Sequence, residues 1–143
     1  MSHLLEESFK KNAQRPFSVC MDRWMSYGEL DSLSSSLGAW LQSQGLEPGA
    51  RVALMLPNIP QFAVTMAAIL RAGYTCVNVN PLYTARELEH QLKDSGATTI
   101  VILENFAHTL QEVIDKTPVK TVVLTSMGDL LGAVYGRWIT FAV

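Results

Sequence analysis

The 143-residue sequence contains only two cysteines and no long apolar run, and each absence excludes a class of protein. Cys20 and Cys76 do not make a disulfide framework, and neither lies at a metal-ligand spacing from a histidine or from the other. The longest apolar run, residues 62–70, is far shorter than the roughly 20 residues that span a bilayer. Nothing at the amino end resembles a signal peptide. We therefore expect a cytoplasmic protein that is not integral to a membrane.

The sequence also lacks an excess of charge of either sign. Eleven basic and thirteen acidic residues give a net charge of -2, and no run of like charge is present. Nucleic-acid binding is therefore not indicated. The length suits one domain, which can bury roughly 70% of its unfolded surface.

Sequence motifs for common catalytic sites are missing as well. There is no G-x-S-x-G turn, no H-E-x-x-H helix, and no glycine-rich loop between a strand and a helix. The first apolar strand is followed by Pro57-Asn58-Ile59-Pro60, in which two residues have no backbone amide to donate to a phosphate. The motifs therefore do not indicate a hydrolase, a metal site or a nucleotide-binding loop.

What is present is a regular alternation of strands and helices around residues 51–96. Val52 to Leu56 is apolar at every position, as in a strand of a parallel sheet that is covered on both faces. Pro60 suits a first helical turn, and Gly73 suits the residue after a helix end. The predicted strands are near 51–56, 74–79, 98–103 and 120–125, and the predicted crossover helices are 60–71, 84–95 and 105–117. The fold class is α/β, a largely parallel open sheet with flanking helices.

Local signals place several of the element ends. Thr84 and Glu87 form a capping box, Gly96 ends the helix that follows, and Asn105 is the predicted cap of helix 105–117. The strand after Gly73 is predicted to run from Tyr74 to Asn80, because Pro81 keeps Asn80 extended.

The amino-terminal part is predicted to add two helices and a hairpin. Ser2 caps a short helix over 2–13, and residues 17–21 pair with Trp24–Met25 through a turn at Asp22–Arg23. A capping box at Ser26 and Glu29 opens a helix over 27–44 that docks by its leucines. At the other end, Leu131, Val134, Trp138 and Phe141 keep an approximate helical spacing that Gly132 and Gly136 weaken.

Two asparagines are the most suggestive candidates for a binding role. In the predicted strand, Asn78 and Asn80 share one face near the carboxyl end, which is where open α/β sheets bind ligands. Asparagine side chains before a proline also commonly form hydrogen bonds with the backbone of a turn, and we favour this structural role over ligand binding.

Other reactive residue types have simpler interpretations. His90 and His108 fall on polar sides of their helices and suit solvent, and Cys76 suits a small core residue. Tyr83 and Arg86 could reach a ligand, but an arginine at a helix start is usually solvated.

Four sequence segments, in this order, resemble the amino-terminal region of bacterial long-chain fatty-acid–CoA ligases: GARVALMLPN, ILRAG, VNVNPLYTARELEHQLKDSGA and ENFAHTL. The resemblance runs from about Leu4 to about Asp129. These enzymes belong to the adenylate-forming superfamily, and the resemblance implies part of their large amino-terminal domain. It implies a parent reaction in which ATP activates a fatty acid as an acyl-adenylate and coenzyme A then displaces AMP.

The motifs that carry this chemistry in the family are absent from the 143 residues. They are a Ser/Thr/Gly-rich phosphate loop ending in Lys-Gly, an acid that holds magnesium, and a lysine in a mobile carboxy-terminal domain. The resemblance therefore assigns no catalytic, cofactor-binding or metal residue here, and we expect no ATP, magnesium or coenzyme A on this piece. Residues 1–126 are interpreted as a partial α/β subdomain and 127–143 as an apolar segment leading into a missing remainder.

Three hypotheses of function stay open at this stage. The chain is an inactive fragment of a long-chain fatty-acid–CoA ligase, a stand-alone binding or assembly module of the same fold, or part of another adenylate-forming ligase. The resemblance implies the remainder of the ligase chain and a fatty acid as partners. The apolar segment 127–143 favours self-association, with peripheral contact to the inner membrane as its alternative.

Overall fold

The computed structural model describes residues 2–130 and 139–142. The helices are α1 (Ser2–Asn12), α2 (Tyr27–Ser43), α3 (Pro60–Arg71), α4 (Ala85–Ser95) and α5 (Ala107–Gln111). The strands are β1 (Pro16–Cys20), β2 (Arg23–Ser26), β3 (Arg51–Met55), β4 (Thr75–Asn78), β5 (Thr99–Leu103), β6 (Thr121–Thr125) and β7 (Ile139–Ala142). Among these residues, none of the helices combines the length and apolar character that a membrane crossing requires.

The main sheet has the strand order β4-β3-β5-β6-β7. The first four of these strands are mutually parallel, which confirms the predicted α/β architecture. At the centre, Val52 of β3 lies opposite Cys76 on one side and Thr99 on the other. Every residue of β3 except Arg51 is buried, as expected for a strand covered by helices on both faces.

The two faces of the sheet are covered by different helices. On one face, Val52 and Leu54 pack in a cluster with Leu41 of α2 and Ile69 of α3. On the other face, Ala53 and Met55 alternate into a second cluster, which contains side chains of α4 and α5 (Leu88, Leu92 and Leu110). The chain therefore changes face between α3 and α4.

A third cluster joins the amino-terminal elements to the sheet domain. Phe9 of α1, Met25 of β2 and Leu30 of α2 pack with Val64 and Ala67 of α3. The predicted leucine face of α2 is confirmed, with Leu30 and Leu41 buried. Both predicted capping boxes, at Ser26 and at Thr84, are also present.

The predicted helix over 105–117 is wrong in its extent and in its cap. A 3-10 turn, Glu104–Phe106, follows β5 directly, so Asn105 lies inside that turn and does not cap α5. After Gln111 the chain forms a second 3-10 turn at Ile114–Lys116. The β-branched pair Val113-Ile114 and the restriction that Pro118 places on Thr117 both disfavour continued α-helix. The predicted inward residues still face the core, with Leu110 and Val113 buried.

Three other boundaries differ from the prediction. Ser2 is the first residue of α1 instead of its cap, and β4 ends at Asn78, not Asn80. The hairpin turn is centred on Met21–Asp22, whose φ values of 47° and 63° give the left-handed backbone of a tight two-residue turn.

The helical spacing noted near the carboxyl end is also wrong where the structure describes it. Residues 139–142 form β7, which pairs antiparallel with β6. The segment Ile-Thr-Phe is rich in strand-forming residues, and the free edge of β6 offers it backbone partners. Leu131, Val134 and Trp138 lie outside the described residues.

Candidate functional site at the carboxyl edge of the sheet

The topology places a candidate site at the carboxyl ends of β3 and β5. The helix after β3 packs on one face of the sheet, and the helix after β5 packs on the other. Where neighbouring strands of an open sheet send their chains to opposite faces, a crevice opens outside their carboxyl ends, and ligands bind there in α/β proteins. The loops that follow β3, β5 and β6 therefore decide what this edge can bind.

The loop after β3 does not fit a nucleotide triphosphate. Pro57 and Pro60 have no amide to donate, and the Ile59 amide already donates to the Pro57 carbonyl at 2.8 Å. Ile59 also caps α3, and its side chain supplies no hydrogen bond there. The amide of Phe62 is engaged by the Ile59 carbonyl at 2.9 Å. A phosphate site needs several free amides aimed from a helix N-terminus, and this loop does not present them.

The end of β6 carries a buried polar network that the sequence analysis did not single out. Asp129 is only 7% exposed, and its carboxylate accepts hydrogen bonds from the Thr125 hydroxyl at 2.8 Å and the Ser126 hydroxyl at 2.6 Å. The Ser126 amide donates to the same carboxylate at 2.7 Å. Next to it, Gln61 of α3 is 1% exposed and donates its Nε2 to the Ser126 carbonyl at 2.8 Å.

This network ties the end of β6 to the start of α3. Each bond satisfies a buried backbone or side-chain group, which costs free energy when it is left unpaired. Two sequence signals could have indicated it: the Thr-Ser-x-x-Asp spacing and a glutamine placed in the first turn of an otherwise apolar helix. The network fixes the geometry of the carboxyl edge and does not itself supply a nucleophile or a base that is free to act.

Asn78 and Asn80 do not form one ligand-binding face. The side-chain oxygen of Asn80 accepts the Leu82 amide at 3.0 Å, which is the turn-satisfying role that the sequence analysis favoured. The side-chain oxygen of Asn78 lies 3.7 Å from the Cys76 sulfur, and the Asn78 carbonyl accepts from Gln91 at 2.8 Å. Both asparagines are exposed at the edge strand of the sheet, away from the centre of the crevice.

Three other candidates do come together, along α4. Tyr83, Arg86 and His90 line one shallow groove together with Glu87 and Asp94. Arg86 and His90 are exposed, as predicted. Glu87 is engaged in its capping box, where the Thr84 amide and hydroxyl lower the pKa of its carboxyl group. The groove therefore has the character of a solvated helix surface.

The remaining candidates are isolated from one another. His108 is exposed, and its ring nitrogen lies 3.2 Å from the hydroxyl of the adjacent Thr109. Burial raises the pKa of the Cys76 thiol, which disfavours the thiolate and makes this cysteine a poor nucleophile. Within 2–130 and 139–142, no group of three or more His, Cys, Asp or Glu side chains could hold a metal ion. That the chain carries no catalytic, cofactor-binding or metal residue stays a prediction.

Comparison with known proteins identifies the family. Residues 5–135 match the family described as AMP-binding enzyme. The chain is 51% identical over 141 residues to a long-chain-fatty-acid–CoA ligase of Escherichia coli O157:H7, which covers 98% of this chain and 25% of the relative. It is 40% identical over 95 residues to a long-chain-fatty-acid–CoA ligase of Bacillus subtilis, covering 66% of this chain and 17% of that protein. The chain thus spans about a quarter or less of the length of these curated relatives.

Solved structures agree in fold. A long-chain-fatty-acid-CoA ligase from Archaeoglobus fulgidus superposes with a TM-score of 0.79 at 23% identity, over 99% of this chain and 31% of that one. At that identity the likeness shows the fold alone, and it extends across the parallel sheet and its flanking helices. The family match over residues 5–135, nearly the whole length, shows that the chain belongs to the AMP-binding enzyme family.

Proposed function

We propose that this chain forms the first part of the large amino-terminal domain of a long-chain fatty-acid–CoA ligase. The observation that carries the proposal is the 51% identity over 98% of the chain to the E. coli ligase. The parent reaction would convert ATP, a fatty acid and coenzyme A into acyl-CoA, AMP and pyrophosphate. The carboxylate first becomes an acyl-adenylate, so that AMP can leave when the thiol of coenzyme A attacks.

The 143 residues would contribute scaffold to this reaction. When bound elsewhere in the longer protein, ATP with magnesium would supply the leaving group for the carboxylate. The loop Pro57–Pro60 does not fit the triphosphate, because two of its four residues have no amide and the Ile59 amide is already engaged. This chain would hold the start of α3 against the carboxyl end of β6 through the buried Gln61–Ser126–Asp129 network. The fragment by itself is expected to be catalytically inactive.

The division into parts follows the same proposal. In this proposal residues 1–126 form a partial α/β subdomain, and residues 127–143 lead into the remainder of the ligase chain, which is its first partner. Within the second segment, β7 pairs with β6 and so adds a strand to the sheet of the subdomain. The parent would act on fatty acid in the cytoplasm with peripheral contact to the inner membrane. Self-association through 127–143 is the other proposed contact, and light scattering on residues 1–143 and 1–126 tests it. If both chains have the mass of their own monomer over the same concentration range, self-association through this segment is ruled out.

The gene itself offers the fastest test of the proposal. Genomic DNA beyond the codon for Val143 should encode a Thr/Ser-Gly-Gly-Thr-Thr-Gly loop followed by Lys-Gly, in frame. A stop codon followed by unrelated sequence would contradict the ligase and favour a stand-alone binding or assembly module.

A further inference from the structure

The β1–β2 hairpin carries four large apolar side chains in contact with solvent. We name Phe17, Val19, Met21 and Trp24 the hairpin face. Their exposed fractions are 36%, 52%, 66% and 61%. Isolated apolar residues on a surface are ordinary, but four on one small hairpin form a candidate interaction surface.

The fold presents these side chains together. Val19 and Trp24 are direct cross-strand partners, so their side chains are neighbours on one side of the hairpin. Met21 sits in the tight turn at the tip, and the Phe17 ring packs edge-on against Tyr27, with 5.2 Å between ring centroids. The hairpin face therefore consists of apolar side chains on the two strands and of Met21 in the turn.

The opposite side of the hairpin is fastened to the domain. Met25 is 5% exposed and packs in the third core cluster. The Tyr27 amide donates to the Arg15 carbonyl at 3.1 Å, and Arg23 bonds Glu29 at 3.0 Å. Because the inner side is held in this way, the hairpin face is displayed in a fixed orientation and does not need to fold before it binds.

Basic residues outnumber acidic residues in the sequence that leads into and forms the hairpin, although the whole chain is negative. Residues 8–25 contain four of the eleven basic residues and one of the thirteen acidic residues. Lys10 and Lys11 stand in the last turn of α1, Arg15 precedes β1, and all three are exposed. None of the three forms an ion pair within the described residues, whereas Asp22 at the turn is the single acid. Exposed apolar side chains that are preceded in sequence by unpaired cations suit a surface that is apolar inside and anionic outside.

We propose that the hairpin face docks on an anionic lipid surface, with Met21 and Trp24 entering the interface and Lys10, Lys11 and Arg15 contacting the headgroups. Tryptophan favours the membrane interface because its ring is apolar and its N–H is polar. Apolar burial and basic residues near the surface together provide the affinity of peripheral proteins. The inference extends the proposed peripheral membrane contact to named residues and does not depend on ligase activity.

A second copy of the chain fits the same face less well. A stable protein interface buries about 800 Å² on each partner, which is more than four partly exposed side chains supply. Two copies would also bring the same cluster of positive charge together, which opposes association. An anionic lipid surface does not limit the contact area, and its negative charge attracts the basic residues instead of repelling them.

Vesicle binding of the 143-residue chain tests the inference. Sedimentation with phosphatidylcholine vesicles that contain phosphatidylglycerol should show binding, and vesicles of phosphatidylcholine alone should bind at least about tenfold more weakly. The double variant M21S/W24S should lose at least about tenfold in partition coefficient. Its matched control is L82S, since Leu82 is 83% exposed and lies far along the chain from the hairpin. The triple variant K10Q/K11Q/R15Q should likewise lose binding, and R51Q/K116Q/K120Q, also at exposed positions, should not.

A conservative variant keeps the test decisive if the serine variant unfolds. Brominated lipid should quench the tryptophan fluorescence of the wild type, and W24F should bind normally but lose most of that quenching. No binding of the wild type to the anionic vesicles would overturn the inference. Equal losses in M21S/W24S and L82S, or unchanged quenching in W24F, would overturn it as well. No ATP or fatty acid is present in these measurements, so a negative result leaves the proposed ligase reaction untouched.

Discussion

At the scale of single residues, Arg71 makes the densest set of polar contacts in the described structure. Its guanidinium pairs with Glu6 of α1 and Asp31 of α2, both at 2.8 Å, and donates to the Ser34 hydroxyl at 2.8 Å. It also lies 5.3 Å from the centre of the Phe9 ring. With a side chain only 12% exposed, Arg71 joins three helices where solvent screens it poorly.

Replacing Arg71 with methionine should therefore destabilise the fold. R71M leaves Glu6 and Asp31 without their partner, and we expect a loss of about 2 kcal/mol in the free energy of unfolding, because both acids are partly solvated. Urea denaturation at neutral pH measures it. The control is K93M, which removes an exposed pair with Glu89 and should cost far less than R71M, because solvent screens that pair. Equal losses in the two variants would contradict the role given to Arg71.

Glu29 should make the stability depend on acid. The Ser26 amide donates to its carboxylate, and Arg23 lies beside it, so its pKa falls below the ordinary value of 4.5 in the folded protein. A group with a lowered folded pKa stabilises the fold above its unfolded pKa and loses that effect as the pH falls through the folded value. E29Q should therefore lose less stability than the wild type as the pH falls below 4.5.

Urea midpoints at several pH values check this prediction. E112Q, at an exposed position after α5, is the control and should follow the wild type. Parallel curves for E29Q and wild type would show that the capping carboxylate is not a source of acid sensitivity.

At the scale of elements, local signals in the sequence predicted most helix ends. The capping boxes at Ser26 and Thr84 and the glycines at 73 and 96 act within one turn, so their effect is visible in a short stretch of sequence. The failure at 105–117 has a different origin. An asparagine after a strand is compatible with both a helix cap and a 3-10 turn, and the close succession of β5 and α5 decides between them.

The link across the sheet in the polar network at the carboxyl edge could not be predicted from such local signals. Gln61 and Ser126 are 65 residues apart in sequence, and only the sheet topology brings them within hydrogen-bonding distance. Asn80 shows the converse case, because its turn contact is local and was predicted. Local chemistry is therefore readable from this sequence, and contacts across the sheet are not.

The packing of α2 against α3 yields a prediction at this scale. A Cβ atom at Gly38 would lie 3.2 Å from the backbone oxygen of Ala68, so the two helices approach too closely for a larger residue. G38V should destabilise the protein by about 2 kcal/mol through overpacking. S35V, on the exposed side of the same helix, changes only helix propensity and should cost about 0.5 kcal/mol. Thermal unfolding compares the two, and a G38V loss no larger than that of S35V would show that the helices can move apart.

At the scale of the whole molecule, the parallel sheet followed from the spacing of apolar strands and crossover helices. Strands at near-equal intervals with helices between them admit few arrangements, because parallel neighbours need right-handed crossovers. The antiparallel β7 was not predicted, since its pairing depends on the free edge of β6 and not on its own sequence alone.

The isolated chain should be silent in the first step of the proposed reaction. Residues 1–143 lack the phosphate loop of the family, and the loop after β3 does not fit a triphosphate. We expect no fatty-acid-dependent exchange of labelled pyrophosphate into ATP. Micromolar, magnesium-dependent ATP binding measured by calorimetry would contradict this and would require a site that the carboxyl edge does not reveal.

Exchange of parts with a relative tests the central claim most directly. The 141 residues of the E. coli ligase that align with this chain can be replaced with it, because the two are 51% identical over that stretch. The chimera is assayed for ATP-dependent conversion of palmitate and coenzyme A into palmitoyl-CoA, beside the E. coli enzyme lacking that segment. If this chain is the first part of a long-chain fatty-acid–CoA ligase, the chimera should form palmitoyl-CoA at a rate within about tenfold of the intact enzyme, a difference of about 1.4 kcal/mol in the barrier. A chimera that folds, as judged by a cooperative thermal transition, but forms no more palmitoyl-CoA than the truncated enzyme would contradict the account.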